Sequence, residues 1–295
     1  MSFNSKRLQN LREDILFVGP ALFLFLLIVG SSFLFGIYYS FTEWNGVSKQ
    51  ATWVGLDNYK YLFTSDPGVA GSAWYTIRFT LTCTIISNLL GLSLALALTQ
   101  PFRGAQIYRA IFFLPNVIGG IILGFIWRFI FGTAFNSFAE MTNLGFFQLP
   151  WLGTPATGFW ATVIVFVWKT SGYLMVIYIA AIVSIDESLI EAAKIDGASW
   201  WQITWRVTLP LIVPAFTVCL FLMLSWSSKL FDVIFSLTQG GPYGSTQAFA
   251  LNIYKEAFEY NNYGLASAKA IVFFLVVGII TLLQVTATKR MEIEQ

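Results

Sequence analysis

The sequence contains no histidine and only two cysteines, and charged residues make up just 11% of its 295 positions. Without His, the commonest metal ligand and the side chain that changes charge near neutral pH are both missing. An H-E-x-x-H zinc site and a Cys–His nucleophile pair are excluded with it. Cys83 and Cys219 lie far apart in apolar runs. Lone thiols in such places read as small packing residues rather than as a disulfide or a metal site. No Gly-Lys dipeptide occurs, so the chain carries no G-x-x-x-x-G-K-[ST] phosphate loop and no ATPase site of its own. A net charge of +2 without any basic block offers nothing to follow the phosphates of a nucleic acid. Pro-rich linkers, long repeats and low-complexity tracts are absent as well. No catalytic residue and no metal site can be named from what remains.

What is present is apolar. Hydrophobic residues reach 57% and aromatics 18%, with 29 Phe and 11 Trp, and the mean hydropathy is +0.69. Soluble domains carry roughly 25% charged residues. A chain this poor in charge cannot cover itself with polar surface, so the lipid bilayer is its expected solvent.

A membrane helix needs about 20 mainly apolar residues. Six segments qualify, at about 15–41, 74–99, 107–133, 157–184, 211–237 and 266–288. They must be helices, because an open strand would leave unpaired amides in hydrocarbon. The first run is too long for a signal peptide and reads as a retained span. The expected fold is therefore an all-α membrane protein of six transmembrane helices. Its domains are a polar N-terminal segment at 1–14, one membrane domain at 15–288 and a short tail at 289–295.

Orientation follows from Lys and Arg. With the N-terminus inside, the inner segments hold Lys6, Arg7, Arg12, Arg103, Arg109, Lys194, Arg206, Lys289 and Arg290. The outer loops hold only Lys49, Lys60 and Lys255. Both termini are thus expected in the cytoplasm. Pro115, Gly119, Gly120 and Gly124 in the third span leave two readings open, close helix packing or a hinge.

The longest charged stretch on the inner side joins spans four and five, at 185–210. Ser184 with Glu187 and Ser199 with Gln202 each fit a capping box, which predicts two short helices. Gly197 suits the turn between them, and Pro210 suits the first turn of the next span. Leu189, Ala192 and Ala193 can share an apolar side while Glu187, Glu191 and Lys194 stay polar.

The wording of this loop is specific. Glu191-Ala192-Ala193, three residues, Gly197, nine residues and Val207-Thr208-Leu209-Pro210 resemble the EAA loop of binding-protein-dependent ABC importer permeases. Val207 stands where the family has Ile, and Thr204 where relatives often carry an aromatic. Trp53 to Tyr59, Tyr108-Arg109, Leu114-Pro115, Ile126-Trp127-Arg128, Trp168-Lys169, Leu237 to Pro242 and Tyr254 to Phe258 extend the likeness over nearly the whole chain. Together they resemble the carbohydrate-uptake permeases similar to the maltose-transporter membrane subunits, and the first of the two non-identical permeases in particular. The large outer insertion of the maltose relative is lacking.

The resemblance implies the type I importer permease fold in the cell membrane of a prokaryote. It implies a coupling helix docked on an ATPase subunit through Glu191, Ala192, Ala193, Asp196, Gly197 and Ala198, with Leu209 and Pro210 closing the motif. Implied partners are a second permease, two ATP-binding subunits that hold ATP and Mg, and an extracytoplasmic sugar-binding protein. The outer loops 42–73, 134–156 and 238–265 are candidate docking surfaces. The cargo would be a sugar, an oligosaccharide in the first instance, with glycerol phosphate or another small polar solute as the alternative.

The pathway is read from cost. Lys169, Lys229 and Asp232 fall within spans, where ionisable groups face a cavity or a partner. Lys229 and Asp232, three apart, can share a helix face as a structural ion pair. The sharper reading adds Trp168, Tyr173 and Trp226 as sugar-contacting aromatics. A passive channel would need no ATPase-docking loop.

Overall fold

A computed structural model describes residues 16–100 and 103–289. The expected N-terminal segment 1–14 and the tail beyond Lys289 lie outside these residues. Helix α1 covers 16–40 and is π-wound over Leu26–Gly30. A two-stranded antiparallel hairpin follows, β1 (Thr42–Glu43) with β2 (Thr52–Trp53), with Thr42 opposite Trp53. Next come α2 (Asp57–Thr64), α3 (Pro67–Leu98), α4 (Ala105–Val117), α5 (Gly120–Thr142) and the single-turn α6 (Gly145–Gln148). The chain continues through α7 (Pro155–Val183), α8 (Glu187–Ile195), α9 (Trp200–Leu211), α10 (Val213–Ser228) and α11 (Asp232–Leu237). It ends with α12 (Phe249–Phe258) and α13 (Tyr263–Lys289).

Among the described residues, five helices are long and apolar enough to cross a membrane, and the bent pair α9–α10 raises the number to six. Two expected spans are broken. The third was expected as one helix over 107–133. Instead Ile118 and Gly119 adopt extended backbone, with ψ of 128° and 137°, and separate α4 from α5. Pro115 removes one helical donor, and Val117, Ile118 and two glycines make the next turn a poor helix. The fifth was expected over 211–237. It bends by 68° after Leu211 and breaks again between Ser228 and Asp232. Pro214 crowds the carbonyl four residues back and cannot donate to it. It is therefore Pro214, rather than Pro210, that stands in the first turn of α10. Pro210 lies within the last turn of α9, after the π-wound segment Thr204–Thr208. The stretch 134–156, expected as an outer loop, is largely helical, through the end of α5 and α6.

The chain forms two compact units. The larger holds Pro67–Asn252 and residues from Phe273 onward. Its centre is α3 against α7, held by polar contacts in the interior. Tyr75 Oη meets Thr162 Oγ1 at 2.8 Å, Ser87 Oγ meets Thr170 Oγ1 at 3.0 Å, and the Tyr178 hydroxyl donates to Asn88 Oδ1 at 2.6 Å. Interhelical hydrogen bonds in membranes contribute about 0.6–2 kcal/mol each. Arg109 Nη2 donates to the Leu98 carbonyl at 2.7 Å and so caps the C-terminal end of α3. Cys83 and Cys219 are buried free thiols that pack in this interior.

The smaller unit comprises residues up to Asp66 and Ile253–Val272. Asn58, from the Trp53–Tyr59 motif, donates through Nδ2 to the carbonyls of Ser40 and Thr42, both at 2.9 Å. One amide thereby fixes the exit of α1. Lys269, in the second turn of α13, is fully buried. Its ammonium contacts Asp66 Oδ2 and Glu256 Oε2, each at 2.7 Å. Asn262 Nδ2 donates to the other oxygen of Glu256 at 2.9 Å.

Candidate functional site

The loop at 185–210 presents a helix that the described residues leave largely exposed. No residue of α8 is buried. Glu191, Ala192, Asp196 and Gly197 are exposed, and Ala193 and Ala198 are half-buried. Leu189 and Ile195 are apolar yet 47% and 86% exposed. Of the apolar side expected from Leu189, Ala192 and Ala193, the first two are exposed and Ala193 is half-buried. Gly197 supplies the turn with φ of +76°, and a Cβ there would meet nothing. Only backbone strain reserves the position for glycine.

The Ser199–Gln202 capping box is present in both directions. The Ser199 amide donates to Gln202 Oε1 at 2.7 Å, and the Gln202 amide donates to Ser199 Oγ at 3.4 Å. The other expected box is replaced. Ser184 Oγ donates to the Ala181 carbonyl, and Asp186 caps α8 by accepting the Ser188 amide at 2.9 Å. A cap two residues from its donor wins because Ser184 still belongs to the last turn of α7.

That amide donor holds the Asp186 carboxyl below the usual carboxylate range. A depressed folded-state pKa contributes stability above the unfolded pKa, and the contribution is lost as pH falls through the folded value. Amide exchange of α8 should therefore quicken as pH falls below about 4 once the intrinsic rate is divided out, and the Asp186→Ala protein should show no such step.

The residues expected to line the pathway lie at four places. Lys169 Nζ lies 3.7 Å from Asp232 Oδ2, with side chains 19% and 39% exposed. Tyr173 packs on Trp226 with ring centroids 5.2 Å apart, and Phe113 packs on the other side of Tyr173 at 6.3 Å. Trp168 turns its ring to Trp127, edge to face at 5.5 Å, and also lines an apolar groove with Phe112 and Trp160. The expected Lys229–Asp232 pair does not form. The chain leaves the helix at Lys229 and re-enters at Asp232, so the two never share a face. Lys229 is exposed and borders a separate groove with Phe221, Ser225 and Phe274.

Sequence spacing missed what holds Asp232. A Cβ built on Gly120 would overlap its carboxylate, and one on Gly124 would overlap Ser236 Oγ. The two glycines of α5 let α11 approach at backbone distance, which decides for packing at these positions, while Gly119 belongs to the break. Gly120→Ala should destabilise the protein by about 1–3 kcal/mol and push Asp232 off Lys169. Gly71→Ala, inside α3 with nothing within 4 Å, should instead stabilise the protein by about 0.5–1 kcal/mol in thermal unfolding. Trp127 was also missed. Its indole Nε1 is buried without a hydrogen-bond partner among the described residues, beside Trp168. The Ile126-Trp127-Arg128 motif carried that signal.

Comparison with known proteins agrees over most of the chain. Residues 87–293 match the family described as "Binding-protein-dependent transport system inner membrane component". The chain is 46% identical over 279 residues to a probable starch degradation products transport system permease protein of Thermoanaerobacterium thermosulfurigenes, covering 95% of this chain and 94% of that one. It is 33% identical over 258 residues to a multiple sugar-binding transport system permease protein of Streptococcus mutans, covering 88% and 89%. In structure it resembles a chain of a bacterial ABC transporter involved in the import of the acidic polysaccharide alginate. The TM-score is 0.83 at 23% identity, over 97% of this chain and 99% of the other. The fold is that of an ABC importer permease.

Proposed function

Because the chain belongs to the binding-protein-dependent transport system inner membrane component family and is a multi-pass membrane protein, we propose that it is the permease subunit of an ATP-driven importer for an α-linked glucose oligosaccharide. The observation that carries the reading is α8. It is a capped, apolar-faced helix with no buried residue, and it bears Glu191-Ala192-Ala193 with Gly197 just after it. A separate ATP-binding subunit is the partner that such a helix fits.

In this reading two ATP-binding subunits hold ATP and Mg and perform the hydrolysis. One of them grips Glu191, Ala192, Ala193, Asp196, Gly197 and Ala198. The alanines permit close docking and Glu191 offers a carboxylate to a basic group. Leu209 and Pro210 end the helix that hands the motion on to α10. The bend at Ile212 makes α9 a lever, and rigid-body movement of such an element shifts a transporter between inward- and outward-open states. A second, homologous permease completes the pathway. Both termini lie in the cytoplasm, and the membrane is the cytoplasmic membrane of a prokaryote.

An extracytoplasmic binding protein delivers the cargo. The starch-related and multiple-sugar relatives support an oligosaccharide, and so does the site. Tyr173 and Trp226 offer rings for an apolar sugar face, and the Lys169–Asp232 pair offers polar atoms without net charge. Trp168 and Lys229 line the flanking grooves. The test is uptake of labelled maltotriose by the purified complex in proteoliposomes. Uptake should require ATP on the α8 side and the binding protein on the other. Uptake that proceeds without ATP, or glycerol phosphate uptake in its place, would overturn the reading.

A further inference from the structure

The loop after α11 presents one side chain to solvent from a rigid mount. Tyr243 is 96% exposed. It makes no hydrogen bond or ring contact among the described residues. Its backbone has φ of +54°, a left-handed conformation that non-glycine residues seldom adopt. Gln239, Gly240 and Gly244 around it also have positive φ.

The mount is closed by hydrogen bonds. Thr246 Oγ1 donates to the Gly241 carbonyl at 2.6 Å, and its oxygen lies 2.8 Å from Thr238 Oγ1. The amides of Gly241, Ser245 and Thr246 donate to Thr238, Pro242 and Gly240 at 2.9, 3.0 and 3.1 Å. The buried Thr246 and the half-buried Pro242 also lie against Gly158, in the first turn of α7. A non-glycine residue keeps such a conformation only where its surroundings over-determine it, and segments like this cluster at binding surfaces.

Position says which partner the ring meets. Helix α7 has 29 residues, about 43 Å at 1.5 Å per residue. Its first turn carries the Tyr243 loop, and its last turn leads into α8. The loop and the ATPase-docking helix therefore lie at opposite ends of one membrane-crossing rod. Residues 239–248 carry no charge at all. A partner here is held by ring packing and short hydrogen bonds, with little long-range attraction.

We propose that Tyr243 is an anchor for the extracytoplasmic binding protein, seated in a pocket of its surface. The inference rests on the importer reading above. A fixed tyrosine contributes contact area at little entropy cost, which is what a hot spot of a protein interface requires.

The experiment uses the assembled complex in lipid nanodiscs with purified maltotriose-loaded binding protein. The readouts are the half-saturating binding-protein concentration for stimulated ATP hydrolysis, at 50 and 300 mM salt, and the unstimulated rate. Tyr243→Ala should raise that concentration about tenfold and leave the unstimulated rate unchanged. Tyr243→Phe should stay near wild type. Tyr243→Gly, which relaxes the backbone but also lacks the ring, should behave like Tyr243→Ala. The wild-type value should shift little with salt. Wild-type saturation retained in Tyr243→Ala, or a defect in Tyr243→Ala that Tyr243→Gly repairs, would overturn the anchor alone. A wild-type complex that answers to no binding protein would overturn the importer reading and the anchor with it.

Discussion

Lys269→Met should destabilise the protein by about 3–5 kcal/mol, the largest single-residue effect expected outside the pathway. The substitution preserves much of the volume and removes only the ammonium. Asp66 and Glu256 then remain as two buried carboxylates that have lost the ammonium they share. Like charges so placed must take up a proton or open the structure to water. The triad ties the end of α2, the last turns of α12 and the first turns of α13. Its loss should therefore loosen the smaller unit first. Thermal unfolding of the purified protein measures the loss, and hydrogen exchange of residues 57–66 and 253–272 locates it. Adding Asp66→Asn and Glu256→Gln to Lys269→Met should recover much of the loss, since neutral partners carry no uncompensated charge. An unchanged melting temperature in Lys269→Met would show that the ammonium is not the tie.

Ala192→Trp should reduce stimulated ATP hydrolysis and transport at least about tenfold without unfolding the permease. Ala192 is exposed on α8, and no residue of that helix is buried. The indole therefore meets no atom of this chain that must move, and stability should change by less than about 0.5 kcal/mol. What the indole does meet is the surface proposed to grip α8. Docking on an alanine face tolerates little added volume. The measurement pairs thermal unfolding with the hydrolysis rate of the complex. Full coupling in Ala192→Trp would place the ATPase contact elsewhere.

How much of this was legible beforehand depended on the range of the interaction. Long apolar runs announced α1, α3, α7 and α13, because bilayer thickness sets a length that composition alone can meet. The Ser199–Gln202 box and the Gly197 turn were legible for the same reason, being complete within a few residues. Breaks inside apolar runs were not. Hydropathy stays high through Ile118, so composition does not mark the end of α4, although Pro115 was in plain view; the polar stretch from Ser225 to Lys229 at the end of α10 was absorbed into one long span. Pairing across the fold was also hidden. Lys229 and Asp232 are three apart in sequence and suggested a pair, yet the chain turns between them and the partner of Asp232 is Lys169. The Lys269 triad joins Asp66 to residues about 200 positions away, a distance no local pattern spans. The approach of Gly120 to Asp232 was invisible for the same reason, although the glycines themselves stood out.

The assignment of α8 as the coupling element is most directly tested by cross-linking in the assembled complex. Cys83 and Cys219 are buried and can be replaced by serine or alanine before single cysteines are introduced. Ala192→Cys should cross-link to the ATP-binding subunit in high yield and resist a membrane-impermeant thiol reagent added outside sealed cells. Tyr243→Cys should do the reverse, taking the external reagent and giving no product with the ATP-binding subunit. Labelling of Ala192→Cys from outside, or a cross-link to the ATP-binding subunit from Tyr243→Cys and none from Ala192→Cys, would contradict the account.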